Sequence, residues 1–299
     1  MNFPSTAFVI PVRNGARTIR ASVASILASV PAAEIVIVDD GSSDGTAEIV
    51  EKGFPGRLTI LQTAGGVGPS EARNTGASHS HSEVLAFLDA DDVIDVDWSE
   101  KMLPPFDDPS VLLVSALHRT ITGGDTTTGL GVVRAGGARV NFMPGSFAIR
   151  RATFMELGGF WAALRYSECT ELGLRFLTSH PPATGASRFL DTPVRSYHRE
   201  VEGKYSSALL LSSAEAVIGR HRGILRESGS LATWHGVCAV EAARIGRMKV
   251  ARRHALRSFR YSPAPRTATR LALMLVSPLA RRRYRPRAAD RRTVEQPVA

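Results

Sequence analysis

The chain has 299 residues, 43% hydrophobic and 22% charged, which fits a soluble globular protein of one large domain or one domain with an appended piece. Its two cysteines, Cys169 and Cys238, are far apart, which argues against a disulfide framework and makes a reducing compartment the expectation. Net charge is +9 and uneven: acidic residues crowd the first half, and arginines crowd the end at Arg281, Arg282, Arg283, Arg285 and Arg287.

Met1–Thr6 lacks a basic stretch ahead of an apolar run, so no signal peptide is expected. Ala7–Val12 (AFVIPV) is apolar and β-branched and reads as a buried strand, broken at Asn14-Gly15. Ile19, Val23, Ile26, Leu27 and Val30 recur at helical spacing, and Pro31 ends that helix. Glu34–Val38 is a second buried strand, running into Asp39-Asp40-Gly41-Ser42. Asp44 is the expected N-cap of a helix through Lys52. Leu58–Leu61 is a third strand, Gly65, Gly66 and Gly68 make a loop, and Pro69 suits the first turn of the next helix. Val84–Leu88 (VLAFL) is a fourth strand ending at Asp89. Apolar strands alternating with amphipathic helices imply a mostly parallel sheet covered on both faces, with ligands beyond the carboxyl ends of its strands. Arg13-Asn14, Asp39-Asp40 and Asp89–Asp92 lie at three such ends and are expected to converge.

Beyond Asp92 the pattern changes. Val111–Leu117 and Phe147–Ile149 read as strands, and the Gly- and Thr-rich segment Thr120–Ala138 as a mobile loop. Arg151–Leu157 reads as a helix closed by Gly158-Gly159, Ser167–Leu177 as another helix, and Thr192–Tyr197 as a strand. From Ser207 the chain reads mostly helical, through Ala216–Arg222, Gly236–Arg247 and Lys249–Phe259. No stretch approaches the roughly 20 apolar residues that span a bilayer. The longest, Leu271–Leu279, contains Pro278 and reads either as a packed helix or, with the arginines behind it, as a surface for an anionic leaflet.

Several clusters and single residues can carry chemistry. Asp89-Ala90-Asp91-Asp92 at a strand end can hold a hard divalent ion together with phosphate oxygens; taken alone it reads more readily as a solvated acidic turn. Asp39-Asp40 can accept hydrogen bonds from a ribose hydroxyl or a base N–H, or serve turn chemistry alone. Arg73 (in SEARN) can bridge diphosphate oxygens or orient a carboxylate, and Gly65–Gly68 lacks the Walker A lysine pattern. Glu168 and Glu171 share a helix face, and either can act as general base, although Glu171 and Arg175 also form an i,i+4 pair. His198 can ligate metal, touch phosphate or be structural.

The four blocks FVIPVRNGARTI, EIVIVDDGSSDGT, GPSEARNTGA and VLAFLDADD, in that order, resemble the inverting glycosyltransferases of family 2. The likeness is strong over residues 7 to about 100, continues through GSFAIRRATFMELGGF and SECTELGLRF, and is weak beyond about residue 200. It implies an α/β fold of the GT-A type, a Rossmann-like mostly parallel sheet flanked by helices, followed by a helical C-terminal extension. It implies a domain over residues 1–205, with a nucleotide-sugar half at 1–100 and an acceptor half at 101–205. The helical extension then covers 206–280, and a basic, disordered tail 281–299. Carried over by position, Pro11, Val12, Arg13, Asp39, Asp40, Arg73, Asp89 and Ala90 line the nucleotide-sugar site. Asp89 and Asp91 form the D-x-D metal pair, with His198 a further candidate ligand. The base is expected near Glu168, but Cys169 stands where the family usually has aspartate. Either Glu168 or Glu171 takes that role, or catalysis is impaired.

The expected activity is metal-dependent hexosyl transfer with Mg²⁺ or Mn²⁺, from a nucleotide-diphosphate sugar (UDP-sugar favoured) to a glycan or lipid-linked acceptor in cell-envelope or exopolysaccharide synthesis. The expected location is cytoplasmic, including peripheral contact at the inner face of an anionic membrane. The alternatives are a catalytically impaired nucleotide-sugar binder of the same fold and a nucleotidyltransferase, although Arg13-Asn14-Gly15 is not the Gly-rich basic signature of the latter. A nucleic-acid partner is not expected, because no aromatic–basic interleaving accompanies the charge.

Overall fold

In the computed structural model the described residues are 3–122, 125–128, 132–135, 138–198, 205–287 and 289–290. In chain order the first part runs β1 (Thr6–Val12), α1 (Ile19–Ser29), β2 (Glu34–Asp39), α2 (Thr46–Gly53), β3 (Thr59–Gln62), α3 (Pro69–His79) and β4 (Val84–Phe87). There follow β5 (Val93–Ile94), α4 (Trp98–Met102), β6 (Leu113–Thr122), β7 (Asp125–Thr128), β8 (Val132–Ala135) and β9 (Ala138–Asn141). The part closes with β10 (Phe147–Arg150), α5 (Arg151–Glu156), α6 (Glu168–Ser179) and β11 (Ser187–His198). The main sheet has the order β3-β2-β1-β4-β10-β6-β11-β5, with β7 paired to β6. β3, β2, β1 and β4 are parallel, as the sequence implies. β10 runs antiparallel between β4 and β6, and β6 pairs in parallel with β11.

Two expectations change. Among its described residues the Thr120–Ala138 segment is strand: β7 pairs with β6, and β8 pairs with β9 as a separate two-stranded sheet. Its β-branched threonines and valines favour extended pairing despite the many glycines. Asp44 is not the N-cap of α2, which is Gly45 in the left-handed region (φ 80°). Asp44 Oδ1 still accepts from the Thr46 N–H at 3.1 Å, so it satisfies the helix start from one residue further out.

The central strands are buried on both faces. On one, Phe8 and Ile10 of β1 pack with Ile19, Val23 and Ile26 of α1 and with Trp98, whose ring centroid is 4.9 Å from Phe8. On the other, Phe87, Phe154 and Phe160 cluster with centroids 5.1–5.5 Å apart. Each fully buried phenylalanine contributes roughly 1.5–3 kcal/mol, so this cluster fixes the segment between α5 and α6 against β4. α3 lies close to β1 and β2 because residue 76 has no side chain. A Cβ at Gly76 would run into Val9 Cγ1 and stand 3.1 Å from Val38 Cγ2.

The chain divides into two compact units, residues 1–199 and 200–299. The second contains α7 (Ser207–Glu227), α8 (Leu231–Arg244), α9 (Met248–Tyr261), α10 (Pro265–Leu275) and α11 (Ser277–Arg283). α11 reaches Arg283, past the start expected for a disordered tail; residues 291–299 lie outside the described residues. Its core is rich in small residues, Ala214, Ala239, Ala242, Ala251 and Ala255 among them, which lets the helices approach closely. A buried polar chain crosses it: His235 Nδ1 lies 2.9 Å from His254 Nδ1, and His254 Nε2 lies 3.1 Å from Glu215 Oε1. Only one Nδ1 of the pair can carry a hydrogen, and the arrangement that satisfies every atom has His235 donating to His254 and His254 donating to Glu215. No helix among the described residues is long and apolar enough to cross a membrane.

Two outcomes follow from this packing. Gly76→Ala gains about 1 kcal/mol of helix propensity but overpacks α3 against β1; a net loss of about 1–2 kcal/mol is expected in urea unfolding. Burial, then the charges of His254, Arg257 and Arg222, hold His235 down at about 4. Its folded value lies below its unfolded one, so its contribution is complete above about pH 6.5 and is lost as pH falls toward 4. Thermal melts of His235→Gln from pH 7 to 4 are expected to fall less steeply than those of the parent chain.

Candidate active site

The carboxyl ends of β1, β2 and β4 lie side by side, with Val12 opposite Asp39 and Val9 opposite Phe87. The loops that leave them are tied together. Asn14, at φ 55°, donates its N–H to Ser42 Oγ at 2.9 Å, and its Oδ1 accepts from the Ser43 N–H at 2.9 Å. The Ala16 N–H donates to Asp44 Oδ2 at 3.0 Å. Ser22 Oγ donates to the Ala90 carbonyl at 2.9 Å, which brings the third loop onto α1. A Cβ on Gly15 would stand 3.6 Å from that of Ala90.

Asp39 and Asp40 divide their work. Asp40 is buried and fully engaged. Its Oδ1 accepts from Thr63 Oγ1 at 2.6 Å and from the Val67 N–H at 2.9 Å, and its Oδ2 from the Gly68 N–H at 2.9 Å. Burial alone would raise its pKa; the hydrogen bonds from Thr63, Gly68 and Val67, and the charge of Arg13, outweigh it and hold the carboxyl below its ordinary value. Asp40 thus anchors the glycine loop ahead of α3. Asp39 commits only Oδ1, to the Ser42 N–H at 2.8 Å; its Oδ2 has no partner among the described residues. Arg13 is exposed, Pro11 half-buried and Val12 buried at the same sheet edge.

Arg73 is the centre of the next layer. Its guanidinium is buried and lies 5.3 Å from the centroid of the Phe160 ring. Nη2 donates to Asp89 Oδ1 at 2.6 Å and Nη1 to Glu168 Oε1 at 3.0 Å. Burial opposes its charge, but Asp89, then Cys169 and Glu168, more than offset this, and its pKa is raised above the ordinary value. Of the two sequence-level roles for Arg73, the structure displays the orienting of carboxylates. Asn74 fixes Phe160 in turn, its Nδ2 donating to the Phe160 carbonyl at 2.8 Å and its Oδ1 accepting from the Phe160 N–H at 2.8 Å. Neither Phe160 nor Asn74 stood out in the sequence, because their pairing joins residues 86 apart.

Asp89, Asp91 and Asp92 present carboxylate oxygens within 4.8 Å of one another. This all-oxygen set of hard donors suits Mg²⁺ or Mn²⁺. Asp91 is exposed and makes no hydrogen bond or ion pair among the described residues. Asp92 is buried and pairs with Arg195, which is fully buried. Burial pushes the Asp92 carboxyl up, Arg195 pulls it back, and Asp89 and Asp91 add to the rise, leaving it at about 7. Three carboxylates this close repel one another, and a bound cation would relieve that repulsion. Arg195 was not foreseen; it lies 103 residues from Asp92. Room for its side chain comes from Gly145, where a Cβ would stand 2.6 Å from Arg195 Cδ. The side chain of His198 lies outside the described residues.

At the start of α6, Ser167 is in the left-handed region (φ 67°) and Glu168 is the first helical residue. Glu168 Oε1 takes Arg73, while its Oε2 has no partner among the described residues. Burial, with Glu168 beside it, pushes the Cys169 thiol well above its ordinary range, so it stays a neutral thiol and accepts no proton. The expectation of Glu171 as a second base is corrected. Its side chain is fully buried and its carboxylate is held by Arg175, with Nη2–Oε2 at 2.7 Å. Arg175 also donates from Nη2 to the Gly159 carbonyl at 2.6 Å, so this pair closes the turn after α5.

Replacing Arg73 by Met leaves two carboxylates without their shared cation. A loss of about 3 kcal/mol is expected in chemical denaturation, and Glu168→Gln in that background is expected to recover part of it.

Residues 7–168 match the family described as "Glycosyl transferase family 2". The chain is 42% identical over 86 residues to the succinoglycan biosynthesis protein ExoU of Rhizobium meliloti (strain 1021), covering 28% of this chain and 25% of ExoU. It thus spans about a quarter of the length of that curated relative. Its fold is similar to S. aureus TarS 1-349 in complex with UDP, with TM-score 0.62 and 17% identity over 97% of this chain and 90% of that one. It is also similar to GalNAc-T7 with UDP, GalNAc and Mn²⁺, with TM-score 0.56 and 23% identity over 73% of this chain and 48% of that one. With the family pattern over more than half its length and this sheet of mixed direction beneath the clustered loops, the chain belongs to glycosyl transferase family 2 and has the GT-A fold.

Proposed function

We propose that the chain is a metal-dependent inverting glycosyltransferase that moves a hexosyl group from a nucleotide-diphosphate sugar, a UDP-sugar in first place, to a hydroxyl of a glycan or lipid-linked acceptor. The observation that carries this reading is the Arg73 bridge between Asp89 and Glu168, which sets a candidate metal carboxylate and a candidate base on two sides of one cation. The UDP bound in TarS, and the UDP and Mn²⁺ bound in GalNAc-T7, support the donor and metal classes. The name of ExoU supports a role in exopolysaccharide or cell-envelope glycan synthesis.

In this reading Asp39 receives base or ribose donors through its Oδ2, and Pro11, Val12, Arg13 and Ala90 line the nucleotide through the loops tied together above. Asp91, with Asp89, holds the ion; when bound, the ion neutralises charge on the departing diphosphate. Glu168 takes the acceptor proton on Oε2, and the acceptor oxygen attacks the anomeric carbon from the face opposite the diphosphate. The C1–O bond to the diphosphate breaks as the new C1–O bond forms, so a single displacement inverts the configuration. Arg73 holds Glu168 in one orientation.

A second reading, a nucleotide-sugar binder without turnover, is favoured by one observation, the neutral Cys169 thiol beside Glu168. The variants separate the two. Asp91→Asn is expected to lower transfer by at least about 100-fold and to weaken Mn²⁺-dependent binding of UDP. Glu168→Gln is expected to lower kcat by about 100-fold or more while leaving UDP affinity unchanged. A parent chain inert with UDP-, GDP- and dTDP-sugars and a library of acceptors, joined to a Cys169→Asp variant that turns over, would establish the second reading instead.

A further inference from the structure

The helical unit after residue 204 concentrates positive charge that its own fold does not use. Residues 205–290 contain sixteen arginines and one lysine against four carboxylates, whereas residues 1–204 carry eighteen basic and twenty-three acidic side chains. Three of the four carboxylates are engaged within the unit: Glu215 with His254, Glu241 with Arg244 and Arg287, Asp290 with Ser207. Arg266, Arg281, Arg282 and Arg283 have no hydrogen bond or ion pair among the described residues.

The placement of this charge is specific. Arg266, Thr269 and Arg270 of α10, with Arg283 and Tyr284 at the end of α11, line a cavity of about 410 Å³. Its polar lining consists of guanidinium groups and hydroxyls, with no carboxylate among the described residues that line it, so it fits an anion with several acceptor oxygens. Arg270 is seated there by packing on Gly236 and by donating to Ser258 Oγ at 3.4 Å. Beside the cavity the α10–α11 corner exposes Leu275 (62%), Val276 (47%) and Leu279 (50%). Val276, Leu279 and Arg283 recur at helical spacing, so one face of α11 leads from the aliphatic corner to the arginine of the cavity.

Solvent alone rewards the arginines but not three adjacent aliphatic side chains. A nucleic acid offers phosphates and no apolar layer. An acidic phospholipid bilayer offers both, with phosphates only a few ångströms above the acyl boundary. We propose that this corner docks on an anionic phospholipid bilayer. Leu275, Val276 and Leu279 enter the acyl boundary, and Arg266, Arg270 and Arg283 hold headgroup phosphate. The proposal concerns the second unit only and does not depend on the transfer chemistry.

Flotation of the full chain tests it, with vesicles of phosphatidylcholine alone and of phosphatidylcholine with phosphatidylglycerol. Two variants probe the two halves of the surface: Leu275→Ser/Val276→Ser/Leu279→Ser, and Arg266→Gln/Arg283→Gln. All of these residues are exposed, and unchanged melting temperatures verify that both variants fold. The parent chain is expected to float only with the anionic vesicles. The arginine variant is expected to bind them roughly 25-fold more weakly, from about fivefold per basic residue at an anionic surface. The aliphatic variant is expected to lose binding that survives high salt. Equal flotation with neutral vesicles, no flotation at all, or anionic binding unchanged in both folded variants would overturn the proposal. So would a single-stranded DNA that binds the parent chain more tightly than anionic vesicles and displaces it from them.

Discussion

The candidate site depends on one buried cation. Taking a guanidinium out of water costs several kcal/mol unless its charge is met, and Asp89 and Glu168 together meet that charge at Nη2 and Nη1 of Arg73, while its buried Nε has no hydrogen-bond partner among the described residues. The two carboxylates come from the end of β4 and the start of α6, 16 and 95 residues away. The planar fork makes the distance between them a property of one rigid group rather than of two loops. An ammonium has no such fork, so a lysine at this position would hold one carboxylate and release the other. The supporting shell follows from the same need. Gly76 lets α3 sit close to the sheet, Phe160 covers the guanidinium face, and Asn74 pins the backbone of Phe160 on both sides.

Around this centre the loops sort their polar groups into those the fold consumes and those it leaves open. Asp40 spends both oxygens on the chain from Thr63 to Gly68, and Asp92 is absorbed by Arg195. Among the described residues Asp39 keeps one oxygen, Glu168 keeps one, and Asp91 keeps its whole carboxylate. Adjacent aspartates that look alike in sequence therefore differ in what they can offer a ligand, and the difference comes from backbone N–H groups and a buried arginine rather than from the aspartates themselves. The rise of Asp92 to about 7 has the same origin, since burial and its neighbours oppose its charge more than Arg195 favours it.

The parallel half of the sheet was legible because its strands are continuous apolar runs and its breaks are Asn-Gly, Asp-Gly and Gly-rich turns, signals local to each segment. So was the meeting of the loop clusters, since parallel order alone places β1, β2 and β4 ends on one edge. Glu171 with Arg175 was legible as an i,i+4 pair, and burial decides between that and a catalytic role. What sequence could not provide were partners fixed by the antiparallel insertion of β10 and by the return of β11: Asp92 with Arg195, and Asn74 with Phe160. Nothing local marks residues that meet across 103 or 86 positions. The strands β7 to β9 were missed because glycine count was weighed above β-branching.

Cys169 shows how the charge around Arg73 constrains the chemistry that can be assigned to it. An aspartate at this position would put a third carboxylate beside Asp89 and Glu168, and the single guanidinium would be shared among all three. With a neutral thiol there instead, Arg73 is balanced by two, and Oε2 of Glu168, without a partner among the described residues, is the oxygen that carboxylate presents at the start of α6. That arrangement leaves Arg73 shared between two carboxylates rather than three and orients Glu168. In the proposed reaction the proton is taken as the acceptor oxygen already bonds to the anomeric carbon, when its acidity has risen. A carboxylate held in one orientation then suffices, and the bridge to Arg73 is what places it.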